Sequence, residues 1–451
     1  MNMKSHKDNV QKLSLIGSVS LGTGVMIGAG IFVLTGQIAE LVGDLFPLAF
    51  LGGSIVVGFS SYSYVKFSNA YPSSGGVAKF LTKAYGPGTA TGTYSLLMYV
   101  SMVVAESLVA GTFGAYTLRL FPEEYAGYAS ILGVALLALA FIVNVSGNKI
   151  IGAIATLTAG IKIVGIALLA IAGLAITGLP DITGNFVEEN NTSLPAGLSF
   201  IAALALSILA YKGFTTITNQ GGDIQNPHKT IGRSIIIAIS LVSLIYIVLA
   251  LSVAGALSIP EIIVAKDSAL AVAARPIFGI WGERLTIFIA IIATVSGVIA
   301  SVYSASRLLG MLSKMKQVPD LWASKLSNPS LIFTVSLAML LTVLFNLTRI
   351  ASIGAIFYLI MDIAIHWGLF RHLRNKVNYN PVIPFIALTM DATILSAFIY
   401  VKYLDDPFVL IVAVSGIVFI TISERLFMIS HTDTEGKMHM GMDDEDMNGT
   451  M

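Results

Sequence analysis

Apolar segments of about 20 residues recur along almost the whole chain, with short polar connections between them. An α-helix of about 20 apolar residues is long enough to cross the roughly 30 Å hydrocarbon core of a bilayer. The pattern therefore predicts an all-α polytopic membrane protein with twelve spans. The predicted spans are about 13–40, 47–70, 88–119, 128–147, 150–177, 197–220, 233–256, 284–312, 329–347, 350–370, 382–401 and 406–426.

The distribution of basic residues predicts how these spans are oriented. With both termini on one side, sixteen Lys and Arg residues fall on that side, six on the other and four within spans. Because Lys and Arg are enriched in cytoplasmic loops, both termini are expected in the cytoplasm. The expected location is the inner or plasma membrane of the cell. The outer loop at 180–195 agrees, since it is acidic and has no Lys or Arg.

Composition narrows the class of protein further. The chain is 55% hydrophobic and 11% charged with a net charge of +1, so a nucleic-acid partner is not expected. The absence of cysteine excludes disulfides and thiolate metal sites. No HExxH, GxSxG or P-loop motif is present, which argues against an enzyme. The polar acidic tail at 431–451 is expected to be disordered, although its Met and His residues leave soft-metal binding as an alternative.

Two spans contain glycines where a continuous helix would not favour them. Residues 22–36 of span one read GTGVMIGAGIFVLTG, and span six has Lys212-Gly213 at its middle and two glycines at its end. Broken helices at matching places in two inverted halves are typical of a transporter binding site. We therefore predict breaks in spans one and six, the alternative being that the glycines serve close helix packing.

Several motifs extend this pattern to a known family. They are, in order along the chain, IGAGIF at 27–32, YPSSGG at 71–76, AYGP at 84–87, AYKGF at 210–214, NPHKTIGRS at 226–234 and ASR at 305–307. With these motifs in this order, the sequence resembles amino acid–polyamine–organocation transporters over about residues 10–430. The resemblance implies the LeuT-like fold, with two inverted five-helix repeats and two peripheral helices. It also implies that amino acids or related amines are moved by alternating access.

The resemblance implies a substrate site at the two breaks. There the free amides of a half-helix would hold the substrate carboxylate, and free carbonyl groups would hold its ammonium. The amide groups would come from 29–31, and the carbonyl groups from near Ile27 and from 209–212. The expected substrate-binding residues are Ile27, Gly28, Ala29, Gly30, Ile31, Leu209, Ala210, Tyr211, Lys212, Gly213 and Glu106.

A lysine within span five is the expected coupling residue. Lys162 lies about a dozen residues into the span, and buried ionisable groups are costly enough to suggest a function. Some family members have a lysine here, at the place where sodium-coupled relatives bind a cation. Desolvation favours the neutral form of a lysine, so Lys162 could take up and release a proton. The alternative is a permanently charged structural cation.

Two other charges bear on the pocket. Lys212 could select an acidic or polar substrate, or it could form an ion pair with Glu106 of span three; we favour the pair. Asp362 and His366 in span ten lie four residues apart on one helical face, so they could relay protons or form a local hydrogen-bonded pair. Asp391 in span eleven is expected outside the ten-helix core, bound to a neighbouring helix.

The sequence thus predicts a secondary amino acid transporter, with proton symport favoured. A sodium symporter, an exchanger and a non-transporting sensor of the same fold stay open as alternatives. No metal or cofactor is expected, the proton apart, and the partners are an amino acid substrate and the lipid bilayer. The expected organisation is an N-tail at 1–12, repeats at 13–177 and 197–370, peripheral helices at 382–426 and a C-tail at 431–451.

Overall fold

The computed structural model describes residues 12–73, 75–146, 148–180, 195–318, 328–374 and 376–430. Within these ranges the regular secondary structure is helical, apart from an isolated bridge between Leu13 and Ile224. The fold is therefore all-α, as predicted. The two tails and most of the acidic outer loop at 180–195 lie outside the described residues.

Fifteen α-helices account for the described part of the chain. They are α1 (Leu15–Val42), α2 (Phe46–Ala70), α3 (Gly76–Tyr85), α4 (Thr89–Leu118), α5 (Ala129–Val145), α6 (Asn148–Thr177), α7 (Ala196–Tyr211), α8 (Thr215–Asn219), α9 (Pro227–Ala256), α10 (Ile259–Val264), α11 (Ala269–Lys314), α12 (Pro329–Leu344), α13 (Leu347–Trp367), α14 (Val382–Asp405) and α15 (Pro407–Ser430).

The twelve predicted spans each coincide with a helix, or with α7 and α8 together. By length and hydropathy, ten helical stretches of the described residues are able to cross a membrane. The number falls short of twelve for two reasons. One stretch contains both α2 and the second half of α1, and α12, at 16 residues, is shorter than a typical span. The chain is a multi-pass membrane protein.

Some helical segments were not predicted. The amphipathic helix α3 and the one-and-a-half-turn helix α10 are too short to give an apolar signal of membrane-spanning length. Helix α11 begins 15 residues before predicted span eight, and its extra segment ends at a kink at Gly279, where φ is +69°. Because glycine has no Cβ, it adopts this left-handed conformation without steric cost.

The predicted break in span six is present. Helix α7 ends at Tyr211, a single 3-10 turn covers Lys212–Phe214, and α8 begins at Thr215. The tighter turn replaces i→i+4 hydrogen bonds by i→i+3 bonds, as in the bond from the Lys212 amide to the Leu209 carbonyl. The interruption lies beside Met26 of α1, since a Cβ atom built at Gly213 would be 2.5 Å from the Met26 amide nitrogen.

The predicted break in span one is wrong for this structure, because α1 is one continuous helix from Leu15 to Val42. The glycines instead allow neighbouring helices to approach. A Cβ atom built at Gly30 would lie 2.6 Å from the Ala210 carbonyl oxygen, and one at Gly28 would lie 3.2 Å from the Gly297 Cα. Close packing, the alternative reading of the glycine pattern, therefore accounts for span one.

The glycine contacts predict a difference between two positions of α2. A Cβ atom built at Gly53 would lie 2.5 Å from the Cβ of Ser207 on α7, whereas Gly58 has open space around it. We expect Gly53→Ala to lower the free energy of unfolding by about 1–3 kcal/mol because α2 must move away from α7. Gly58→Ala, on the same helix, should leave stability unchanged or slightly higher. Thermal unfolding of the two variants in detergent measures this, and equal melting temperatures would contradict the packing analysis.

Candidate functional site

A cavity of about 60 Å³ lies at the centre of the bundle, where the middle parts of five helical segments meet. This volume holds about four water molecules. Its wall is formed by Met26 and Gly30 of α1, Met102 and Ala105 of α4, Leu209, Ala210, Lys212 and Gly213 around the interruption, Gly297 and Ser301 of α11, and Tyr358 of α13.

Most of the substrate-binding residues predicted in span six line this cavity. Of those predicted in span one, only some do. Leu209, Ala210, Lys212 and Gly213 line the cavity, as does Gly30. Ile27 and Ile31 are fully buried elsewhere, and Gly28 packs against Gly297. Ala29 lies within α1, and its side chain is outside the described part. Tyr211 is buried, and its hydroxyl donates to the Phe50 carbonyl oxygen at 3.1 Å.

Side-chain donors reach two carbonyl groups of α1 next to the cavity. The Lys162 ammonium donates to the Gly24 carbonyl at 2.9 Å, and the Tyr246 hydroxyl donates to the Met26 carbonyl at 2.6 Å. In an α-helix these carbonyls also accept from the amides of Gly28 and Gly30, four residues later. Lys162 is 2% exposed, and α6 holds it against α1 rather than in the cavity wall.

Lys212 does not pair with Glu106, so the expected ion pair is wrong. Its ammonium instead forms an ion pair with Asp362 of α13. The Asp362 carboxylate also accepts from the Tyr64 hydroxyl at 2.6 Å and from the Ser60 hydroxyl at 3.0 Å, both on α2. Asp362 is fully buried, so the pair balances two charges away from water. This gives Lys212 a counter-ion on a helix that sequence spacing alone could not connect to it.

Glu106 lies on α4, fully buried, but is absent from the cavity wall described above. Its carboxyl oxygens have no hydrogen-bond partner among the described residues. Its neighbours include Tyr99 and Tyr358, which are close enough for electrostatic interaction. Tyr358 lines the cavity, whereas Glu106 does not.

Asp362 and His366 do not form the local pair that their spacing suggested. His366 directs Nδ1 to the Ser63 hydroxyl at 2.8 Å, and its Nε2 lies 3.1 Å from Oδ2 of Asp391 on α14. The expectation that Asp391 binds a neighbouring helix is therefore confirmed. Asp362, His366 and Asp391 each present a ligand atom within 4.8 Å of the others. The expectation that the protein holds no metal stays a prediction.

The interruption is also tied to the end of the bundle that carries the N-terminus. Asp223, four residues after α8, accepts from the Arg307 guanidinium of α11 at 2.7 Å. Its carbonyl oxygen accepts from the Leu13 amide at 2.8 Å. Asp223 therefore links the segment after α8 to α11 and to the residues just before α1.

Comparison with known proteins shows which family has this sequence. The sequence model of the family described as amino acid permease matches residues 13–428. The chain belongs to the amino acid permease family. As a permease it is a transporter rather than an enzyme, and it acts on small-molecule substrates.

Curated relatives cover most of this permease. It is 29% identical to the inner membrane transport protein YbaT of Escherichia coli (strain K12), over 89% of this chain and 92% of that protein. It is 29% identical to an uncharacterized protein of Methanocaldococcus jannaschii, over 78% and 80% of the two chains. It is 24% identical to the serine/threonine exchanger SteT of Bacillus subtilis (strain 168), over 84% and 88%.

The ion pair of the permease predicts that its two buried acids contribute differently to stability. Asp362→Asn leaves the Lys212 ammonium buried without its counter-charge, which should lower the free energy of unfolding by about 3–5 kcal/mol. Glu106→Gln is the matched control, since Glu106 forms no ion pair in the described part of the chain and the substitution strands no charge. Thermal unfolding of both variants in detergent tests this. If Glu106→Gln were the more destabilising change, the assignment of the Lys212 counter-ion would be wrong.

Proposed function

We propose that this permease is a proton-coupled symporter of a small neutral L-amino acid, working by alternating access, with both termini in the cytoplasm. The observation that carries the proposal is the central cavity between α1 and the interruption after α7. Its wall is mainly apolar and has a single charged side chain, Lys212, among the described residues. Because Asp362 balances the charge of Lys212, the cavity favours a substrate without net charge. Its small volume favours a short side chain.

The backbone around the cavity suits the two charged ends of an amino acid. Carbonyl groups at the end of α7, such as that of Ala210, lie beside Gly30 and can accept from the substrate ammonium. The substrate carboxylate would bind the amides of Ala29, Gly30 and Ile31, as the family resemblance implies. In the continuous α1 these amides bond within the helix, so carboxylate binding requires α1 to open locally.

Opening α1 at this point is made cheaper by the side chains that already serve its carbonyl groups. Releasing the amides of Ala29, Gly30 and Ile31 would free the carbonyls of Val25, Met26 and Ile27 from their intrahelical partners. Of these three, the Met26 carbonyl already accepts from Tyr246 and would not be left unsatisfied. Where the opening includes the Gly28 amide, the Gly24 carbonyl likewise keeps its hydrogen bond from Lys162. Gly28 and Gly30 themselves tolerate the altered backbone conformation.

This arrangement supplies a route for proton coupling. A charged ammonium is a stronger donor to a carbonyl than a neutral amine, so a proton on Lys162 stabilises the opened form of α1. Substrate binding and protonation then favour the same conformation, and each strengthens the other. A sodium ion at the same place would meet the ammonium of Lys162, which argues for proton rather than sodium coupling.

The test of coupling is uptake of L-serine into proteoliposomes under an imposed pH gradient. L-Serine is the probe because it is small and neutral, and because the relative SteT is a serine/threonine exchanger. We expect wild-type accumulation to follow the pH gradient and to ignore sodium. Lys162→Met should abolish the gradient dependence, because the ammonium that senses the proton is gone.

The matched control for Lys162 is Lys66→Met. Lys66 also donates to a carbonyl oxygen at 2.9 Å, that of Asn378, but in an exposed position. The Lys66→Met variant should accumulate L-serine as the wild type does. Gradient-driven uptake that persisted in Lys162→Met would contradict proton coupling through this residue. Uptake requiring L-serine inside the vesicles would favour an exchanger, and binding without uptake would favour a sensor.

A second prediction concerns Tyr246. Tyr246→Phe removes the donor to the Met26 carbonyl, so opening α1 leaves that carbonyl unsatisfied, and we expect L-serine affinity to fall by roughly 5- to 100-fold. The control is Tyr116→Phe, which removes a donor to another α1 carbonyl, that of Phe32, at 3.0 Å and away from the cavity. Calorimetric titration of the purified proteins measures both. Equal losses in the two variants would point to general loosening of α1.

A further inference from the structure

A cluster of buried polar side chains lies behind Lys212, on the side away from the cavity. We call it the α13 network, and it joins α2, the interruption, α13 and α14. Each of its side chains is at most 2% exposed. Its members are Ser60, Ser63, Tyr64, Lys212, Asp362, His366 and Asp391.

We propose that His366 and Asp391 bind a proton that controls how strongly the network holds Lys212, and thereby the affinity of the cavity for its substrate. The inference deepens the proposed function, on which it rests for the identity of the cavity as the substrate site. It adds a second proton site, distinct from Lys162, that acts on substrate affinity through Lys212.

The charge count of the network requires this proton. Asp362 accepts from Lys212, Tyr64 and Ser60, so it is stabilised as an anion and balances the ammonium. A neutral His366 beside an ionised Asp391 would then leave one buried negative charge with no counter-charge. The His366–Asp391 pair avoids this by holding one proton, on either the imidazole or the carboxyl group.

The proton is held by the pair alone. Oδ1 of Asp391 has no hydrogen-bond partner in the part of the chain that the structure describes. The 3.1 Å separation of His366 Nε2 and Asp391 Oδ2 suits an ion pair, although the two groups are not aligned as a hydrogen bond. His366 is fixed from the other side by the Ser63 hydroxyl. Asp391 therefore lacks the donors that make Asp362 a stable anion.

Other titratable groups that face the pair are few among the described residues. Lys212 and Asp362 are the charged ones, and both interact electrostatically with Asp391. Tyr64 of α2 lies edge-on to the His366 ring and donates to Asp362, and Tyr358 of α13 lies near Asp362. Both tyrosines are neutral donors, so the balance is set by Lys212, Asp362, His366 and Asp391.

The link to the cavity is Lys212, which belongs to both the cavity wall and the network. When the His366–Asp391 pair loses its proton, the network gains a negative charge and draws the ammonium more strongly away from the cavity. When the pair regains the proton, the ammonium contributes more positive potential to a bound carboxylate. Substrate affinity is therefore expected to fall as the pH rises, and binding to take up a fraction of a proton.

A metal site is the competing use of the same residues, since three ligand atoms lie within 4.8 Å of one another. The Lys212 ammonium already occupies the cation position beside Asp362, and Tyr64 and Ser60 fill the rest of that carboxylate. A divalent ion would have to displace the ammonium. The proton is therefore the cation that the network suits.

The experiment uses the purified full-length protein in detergent at one uniform pH, so that no gradient contributes. L-Serine is titrated by calorimetry between pH 6 and 9, in buffers with different ionisation enthalpies that report the protons taken up. For the wild type we expect Kd to rise with pH, by at most about tenfold per pH unit, with proton uptake on binding. Asp391→Asn cannot lose the proton, so its Kd should rise less steeply with pH than that of the wild type, and the slope that remains belongs to Lys162.

A control and a readout without substrate make the test decisive. Glu424→Gln makes the same chemical change at another buried carboxyl group, on α15 and outside the α13 network, so its Kd should depend on pH as that of the wild type does. Substrate-free melting temperatures give the second readout. The folded pair keeps a proton that the unfolded chain releases above about pH 6.5, so wild-type stability should fall relative to Asp391→Asn as the pH rises.

Each outcome decides the proposal. Should Asp391→Asn fail to fold, the double variant H366Q/D391N removes both ionisable groups, and the same shallower profile is expected. Wild-type pH dependence of Kd and melting temperature in these variants would overturn the proton site. Zinc chloride that raised the melting temperature of the wild type and not of Asp391→Asn would replace it by a metal site. If L-serine bound to no variant, the proposed substrate would fail, while the substrate-free melting profiles would still decide the proton site.

Discussion

The ammonium of Lys212 is buried among apolar helices, where a charge without a counter-ion would be very costly. Several neighbouring side chains compensate this charge. Asp362 supplies the counter-charge, and Tyr64 and Ser60 supply the hydrogen bonds that stabilise the carboxylate. The partners come from α2 and α13, so the ion pair fixes both helices against the interruption after α7. A cavity that would otherwise carry a positive charge is thereby left without net charge.

Helix α1 is held by a different kind of interaction. It has no ion pair at its centre among the described residues, and its contacts there are close backbone approaches at Gly28 and Gly30. Donors from Lys162 and Tyr246 reach its carbonyl groups from α6 and α9. Such contacts are strong enough to keep a continuous helix packed, and they do not require that helix to remain continuous. The same features that let α1 pack tightly also lower the cost of opening it.

The sequence allowed the membrane class, the number of spans and the interruption at Lys212 to be predicted, since each follows from local composition. It also placed Gly30, Ala210 and Lys212 near one another through the family motifs. The partner of Lys212 could not be predicted, because Asp362 is 150 residues away in the sequence. Glu106 and Asp362 both lie in apolar spans, so hydropathy does not distinguish between them. The continuity of α1 could not be predicted either, since glycines for close packing and glycines for a break look alike in one sequence.

The two kinds of interaction divide the bundle into parts that can move and parts that cannot separate. A conformational change that pulled the interruption away from α13 would strand Lys212 and Asp362 as isolated buried charges. Helix α14 extends this unit, because Asp391 engages His366 and α14 packs against α7, α13 and α2. Helix α1 shares no such pair and faces this unit across the cavity. The alternating access proposed for this permease is therefore most economical if α1 moves while α2, α7, α13 and α14 stay together. Under that proposal, span eleven would move with the core rather than with the periphery.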